Sequence, residues 1–148
     1  MRVGRKWSYL STVIDLYSRR IIGLCFSKER TASMVRKSLL MACDDNKTTK
    51  ETIFHSDQDS EYTSKEYRMV LEQLGLRISM SWKGHCWDNA HMESFIHTPK
   101  TEIVYFQRFR HLAEAIAYNM DYIQFYNGER LHSGLGYRKP NQAAAMAV

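Results

Sequence analysis

The stretch Ile53-Phe54-His55-Ser56-Asp57 is a short apolar run that ends in an acid. Such a run predicts a buried strand, with Asp57 at the point where the strand ends. Further along, residues 87–95 predict a loop entering a helix, with Glu93 on the first helical turns. Two carboxylates on rigid elements, surrounded by basic residues, are what a Mg²⁺-dependent phosphoryl-transfer site requires.

Each acid also has a simpler explanation when it is taken alone. Asp57 could be a turn acid leading into Gln58 and Asp59. Glu93 could be a helix-start acid that interacts favourably with the helix dipole. The residues that flank the two acids therefore have to decide between these interpretations.

Composition restricts the class of protein more than its chemistry. The 148 residues predict one domain, 1–148, whose C-terminal tail runs from about 128 to 148. The net charge of +5 modestly favours a polyanionic partner. Three cysteines without framework spacing favour a reducing compartment. Because there is no long apolar run and no signal-peptide pattern, we expect a cytoplasmic protein without a membrane partner.

Hydrophobic spacing and turn residues predict the order of the secondary structure. A strand hairpin comes first and is followed by alternating helices and strands, which indicates a mixed α/β domain with a small central sheet. We expect strands at 7–16, 21–26, 53–56 and 76–81, and helices at 31–43 (capped by Thr31), 64–74 (ended by Gly75), 90–102 and 110–126.

Three groups of motifs, read together, resemble one family. They are residues 9–20, residues 55–64 with 79–95 and 100–102, and residues 122–140. In this order and spacing the chain resembles the catalytic core of bacterial insertion-sequence transposases related to retroviral integrases. The resemblance covers nearly the whole chain.

The resemblance implies a ribonuclease-H-like fold and DNA strand transfer. Members of this family use two Asp and one Glu to hold two Mg²⁺ or Mn²⁺ ions, and by resemblance Asp57 is the second Asp and Glu93 the Glu. The implied partners are DNA, both element ends and target, and further copies of the chain. No small-molecule substrate is implied, and the implied location is the bacterial nucleoid.

The chain departs from the family pattern at three places. No acid precedes Trp7 where the family has its first Asp, and Asp15 matches a strand-end or turn acid instead. Asp59 replaces a glycine, and Pro99 falls within the helix that carries Glu93. We therefore expect a fold that lacks its first strand and has impaired strand transfer. The alternative is a non-catalytic nucleic-acid-binding or oligomerising remnant.

Basic and aromatic residues before and on the Glu93 helix are candidate DNA contacts, although packing or simple solvation would also explain them. The candidates are Trp82, Lys83, His85, Trp87, Asn89 and Lys100. The histidine and cysteine spacings do not support a zinc site. Since His85 adjoins Cys86 in sequence, a cysteine nucleophile is not supported either.

Overall fold

The computed structural model describes residues 1–44, 48–49, 51–81 and 109–146. Six strands and five α-helices lie within these ranges. The strands are β1 (Arg2–Val3), β2 (Lys6–Trp7), β3 (Tyr9–Ile14), β4 (Ile21–Ser27), β5 (Ile53–Ser56) and β6 (Arg77–Met80). The helices are α1 (Ala32–Asp44), α2 (Ser60–Thr63), α3 (Lys65–Gln73), α4 (Leu112–Gly128) and α5 (Pro140–Ala145), and Ser133–Leu135 forms a 3₁₀ turn.

The predicted hairpin is confirmed as the antiparallel pair β3–β4, whose register runs from Tyr9 opposite Ser27 to Ile14 opposite Ile21. Its turn is closed by Asp15, whose carboxylate accepts the backbone N–H of Tyr17 at 3.2 Å and that of Ser18 at 3.1 Å. An Asp side chain that bonds the backbone a few residues on is a standard turn device. Asp15 is therefore a turn acid, as predicted.

Helix α1 covers one face of the hairpin. It begins after Thr31, whose hydroxyl accepts the N–H of Met34 at 3.3 Å, which confirms the predicted cap. Its buried residues recur every three or four positions along one face: Met34, Val35, Ser38, Leu39 and Ala42. Gly23 on β4 allows the close approach of this helix, because an added Cβ would overlap the Ser38 carbonyl oxygen and lie 2.9 Å from the Ala42 Cβ.

A β–α–β unit follows α1. Strand β5 pairs in parallel with β6, from Ile53 opposite Arg77 to Ser56 opposite Met80, and α2 and α3 connect them. Ser64 caps α3 by accepting the N–H of Tyr67, and Gly75 ends it with a φ of 67°. Both ends of α3 were predicted from the sequence.

Hydrophobic residues form two clusters. The larger one joins α1 and α3 and contains Met34, Val35, Leu39, Tyr67, Leu71 and Leu76. The smaller one joins β4 to α4 through Ile21, Ile123 and Tyr126. Asn127 fastens the end of α4 to the start of β4: its Oδ1 accepts the N–H of Ile21 at 2.9 Å and its Nδ2 donates to the Ile21 carbonyl at 3.0 Å.

Four described elements were not predicted. They are the small antiparallel hairpin β1–β2, the short helix α2, the 3₁₀ turn Ser133–Leu135 and the C-terminal helix α5. The predicted helix at 110–126 is confirmed as α4, which extends to Gly128. The predicted helix at 90–102, with Pro99 and Glu93, lies outside the described residues. No helix in the described ranges has the length and apolar content needed to cross a membrane.

Gly23→Ala should destabilise the protein by about 1–3 kcal/mol, the usual cost of overpacking a well-filled core. The added methyl group has to displace α1 from β4. Gly134→Ala is the matched control, because an added Cβ there meets nothing within 4 Å. Urea unfolding of both variants measures the difference, and equal stabilities would contradict the close packing of α1 on Gly23.

Candidate functional site

Asp57 lies directly after β5, as the sequence predicts, and is half-buried. Its Oδ1 accepts the backbone N–H of Asp59 at 3.1 Å, so it is also the turn acid of the simpler interpretation. Its Oδ2 accepts no hydrogen bond from the described residues. One oxygen of this carboxylate therefore holds the turn while the other is available to a ligand.

Arg30 neutralises the two acids that follow Asp57. Its guanidinium forms an ion pair with Asp59 and a second one, 2.8 Å long, between its Nε and the Oε1 of Glu61. The pKa of Arg30 is raised, mainly by its hydrogen bond to Asp59. Partial burial opposes this rise, and the negative charges of Glu61, Asp59 and Asp57 add to it. Asp57 is thus the acid of this turn that has no cation paired with it among the described residues.

Asp59 stands where the resemblance places a glycine, a residue that tolerates positive φ. The backbone of Asp59 is instead extended, with φ −61° and ψ 152°. Its additional charge is met by Arg30, so the substitution causes neither backbone strain nor an unbalanced charge.

His55 joins β5 to β6 beside Asp57. Its Nδ1 lies 2.9 Å from the Ser79 hydroxyl, and its Nε2 lies 2.9 Å from the hydroxyl of buried Ser81. A neutral imidazole has one donor and one acceptor nitrogen, and each serine hydroxyl can take either role. His55 thereby fixes the position of the chain where β6 ends relative to the strand that presents Asp57.

A cavity of about 310 Å³ lies between β3 and β5. Residues Ser11 to Leu16 line one side, Thr52 to Asp57 line the other, and α1 contributes Ser38, Leu39, Ala42 and Cys43. Tyr62 also lines the cavity. Its burial, and to a lesser extent the negative charge of Asp57, raise the pKa of Tyr62 to about 12, so its hydroxyl stays protonated. We refer to this space as the β3–β5 cleft.

The other predicted site residues cannot be compared with this geometry. Glu93 and all six candidate DNA contacts, Trp82, Lys83, His85, Trp87, Asn89 and Lys100, lie outside the described residues. Within the described ranges, no group of three or more His, Cys, Asp or Glu side chains is placed to hold a metal ion. Of the two proposed metal-binding carboxylates, the structure therefore describes Asp57.

Two features near the Asp57 turn were not predicted from the sequence. The first is Arg30, which is 29 positions from its partner Asp59, so no local pattern could indicate the pair. The second is a groove with an exposed aromatic ring and several cations, which we call the cationic groove. Its exposed members are Arg5, Lys6, Trp7, Lys28 and Arg110, together with the single acid Glu29.

Comparison with protein families now identifies the chain. Two family models match the chain, and both describe an integrase core domain. One matches residues 1–86 and the other matches residues 74–140. The chain belongs to the integrase core domain family. The resemblance found in its motifs is thereby confirmed.

Among curated relatives, the chain is 42% identical over 133 residues to the transposase for insertion sequence element IS904 of Lactococcus lactis, covering 89% of this chain and 53% of that protein. It is 39% identical over 145 residues to the transposase InsF for insertion sequence IS3A of Escherichia coli, covering 96% of this chain and 50% of the relative. The chain thus spans about half the length of these relatives.

Solved structures confirm the ribonuclease-H-like α/β fold. The catalytic core domain of BIV integrase aligns with a TM-score of 0.68 at 14% identity, over 99% of this chain and 90% of that one. The HTLV-2 integrase catalytic core domain in complex with magnesium aligns with a TM-score of 0.62 at 12% identity, over 97% of this chain and 88% of that one. At these identities the likeness shows the fold alone.

His55→Ala should destabilise the chain by about 1–3 kcal/mol, because it leaves the buried Ser81 hydroxyl without its partner. Ser79→Ala is the milder control, since Ser79 is only half-buried and its loss leaves the bond to Ser81 in place. Denaturant midpoints of the two variants should differ in this order. Equal losses would show that the bond to Ser81 contributes nothing specific.

Proposed function

We propose that this chain is the catalytic core of a transposase that transfers DNA strands by metal-dependent phosphoryl transfer. The observation that carries the proposal is the carboxylate of Asp57, which β5 presents at its end with one oxygen available. Membership of the integrase core domain family and the transposase names of the curated relatives support it. Further copies of the chain are the proposed protein partners.

Asp57 and Glu93 are the proposed ligands for Mg²⁺ or Mn²⁺. Carboxylate oxygens are the donors that these hard cations prefer, and an Asp57 oxygen that accepts no described hydrogen bond fits that role. Divalent ions, when bound, would activate a water or a 3′-hydroxyl and stabilise the departing oxygen. Arg30 keeps Asp59 and Glu61 engaged, so the turn offers Asp57 rather than three competing carboxylates.

The cationic groove supports DNA as the substrate. Its four cations are not paired with any described carboxylate, and the Trp7 side chain is 63% exposed. Cations bind phosphates and an exposed indole can stack on a base. Two contacts locate the groove at the Asp57 edge: Tyr9 pairs with Ser27, just before Lys28, and Arg30 reaches Asp59.

A second candidate function is nucleic-acid binding or self-association without catalysis. The described residues favour it in one respect. The carboxylates that follow Asp57, those of Asp59 and Glu61, are committed to Arg30, and in the described part of the chain no group of three or more His, Cys, Asp or Glu side chains is placed to hold a metal ion. The nicking measurement below separates the two functions.

Asp57→Asn and Glu93→Gln should each lower Mn²⁺-dependent nicking of plasmid DNA by orders of magnitude, because each removes a charged metal ligand while keeping the side-chain size. DNA binding measured without metal should be unchanged. Asp15→Asn is the control, because Asp15 acts in a turn. Nicking that persists in both variants would rule out this pair of ligands, and a parent chain that binds DNA without nicking would favour the second function.

Reversing charge in the cationic groove should weaken DNA binding. Arg5→Glu combined with Lys6→Glu should reduce the slope of log K against log salt concentration by about 2, near 0.9 for each lost phosphate contact. The control pair is Lys65→Glu with Arg68→Glu, which makes the same charge change on exposed positions of α3. DNA affinity is measured by fluorescence anisotropy without metal. An equal loss of affinity in the two double variants would mean that DNA binding depends on net charge alone.

A further inference from the structure

A second surface rich in arginine and tyrosine lies at the far end of the β3–β4 hairpin. The cationic groove lies where β3 begins and β4 ends. The hairpin turn is at the opposite end, about 20 Å away by the rise of a six-residue strand. We call this second region the turn–tail surface; its members are Tyr17, Arg19 and Arg20 of the turn and Arg130, His132, Tyr137 and Arg138 of the tail after α4.

Direct contacts hold the turn and the tail together. Asn127, at the end of α4, exchanges two hydrogen bonds with the backbone of Ile21, the residue that follows the turn. Burial first, and then the positive charges of Arg130 and Arg19, lower the pKa of His132. Both guanidinium groups therefore lie near the His132 ring, and turn and tail form one continuous surface.

Two residues of the turn–tail surface have a backbone conformation that favours glycine. Arg19 has a φ of 60° and Tyr137 a φ of 59°, and among the described residues these are the non-glycine positions with positive φ. Tyr137 is 72% exposed and Arg19 is only half-buried, so core packing requires neither side chain. Strained backbone of this kind is concentrated at sites that bind ligands.

The turn–tail surface also carries positive charge with little acid to balance it. Residues 16–20 and 130–138 contain four arginines and no acid. Arg19, Arg20 and Arg138 form no ion pair with a described residue. A planar guanidinium matches the oxygens of a phosphate, and a tyrosine hydroxyl can donate to one. These side chains therefore suit a phosphodiester backbone.

We propose that the turn–tail surface is a second binding site for the phosphate backbone of duplex DNA, separate from the cationic groove. The choice of DNA as the ligand rests on the proposed function. The position of the site rests on the strained, exposed Arg19 and Tyr137 and on the arginines around them. One chain consequently contacts DNA at both ends of the β3–β4 hairpin.

The direct test uses glycine variants, which remove the side chain and relieve the strain at once. Arg19→Gly and Tyr137→Gly should each keep or raise the melting temperature, because glycine adopts positive φ freely. Arg19→Gly should nevertheless reduce the slope of log K against log salt concentration by about 0.9, the value for one lost phosphate contact. Tyr137→Gly should weaken binding about fivefold, as for one lost hydrogen bond, without changing the slope.

DNA affinity is measured by fluorescence anisotropy with a short duplex and without metal. Arg68→Ala, which removes an arginine from an exposed position on α3, is the control and should leave the slope nearly unchanged. An unchanged slope in Arg19→Gly, or a loss equal to that of the control, would overturn the proposal. So would a loss of affinity that is matched by a lower melting temperature, since the side chains would then act on folding.

A second measurement uses the unaltered chain. Adding the duplex should shift the amide resonances of residues 17–20 and 130–138 as well as those of the cationic groove. Shifts confined to the groove would overturn the second site and leave the proposed function standing, whereas no binding of DNA at all would overturn both. Equal shifts at residues 17–20 and 130–138 with polyglutamate would assign the surface to an acidic protein instead of DNA.

Discussion

The parallel pairing of β5 with β6 is the interaction on which the site depends. Four consecutive residue pairs hold β5 in register, and His55 adds two side-chain bonds, one to Ser79 on β6 and one to Ser81 just past it. Asp57 follows at once, so its position is set by a strand rather than by a loop. A carboxylate fixed in this way binds a cation without the entropic cost of ordering a mobile segment.

Charge around Asp57 is arranged by a residue from the other half of the fold. Arg30 follows β4 and forms ion pairs with Asp59 and Glu61, which follow β5. Glu61 is only 12% exposed, so its charge would be costly without that partner. The same ion pairs hold the end of β4 beside the end of β5, which keeps the cationic groove and Asp57 on one side of the protein.

Local patterns predicted those elements that carry their own signals. The apolar run before Asp57 and the Gly75 stop were sufficient signals for β5 and for the end of α3, because burial and positive φ are local requirements. The β1–β2 hairpin was missed because it rests on tertiary contacts: Val3 bridges to Phe109, and Gly4 donates its N–H to the Phe109 carbonyl. For α5 the signal was present, since Pro140 stands at its first turn. The ion pair between Arg30 and Asp59 has no local sequence signal, because the two residues are 29 positions apart.

The measurement that tests the metal-binding role of Asp57 most directly is paramagnetic broadening of backbone amides by substoichiometric Mn²⁺ in isotope-labelled protein. The account predicts that broadening is strongest at residues 56–59, directly after β5, and that Asp57→Asn abolishes it there. Broadening centred on other acids, or broadening that survives in Asp57→Asn, would contradict the claim that this carboxylate holds the catalytic ion.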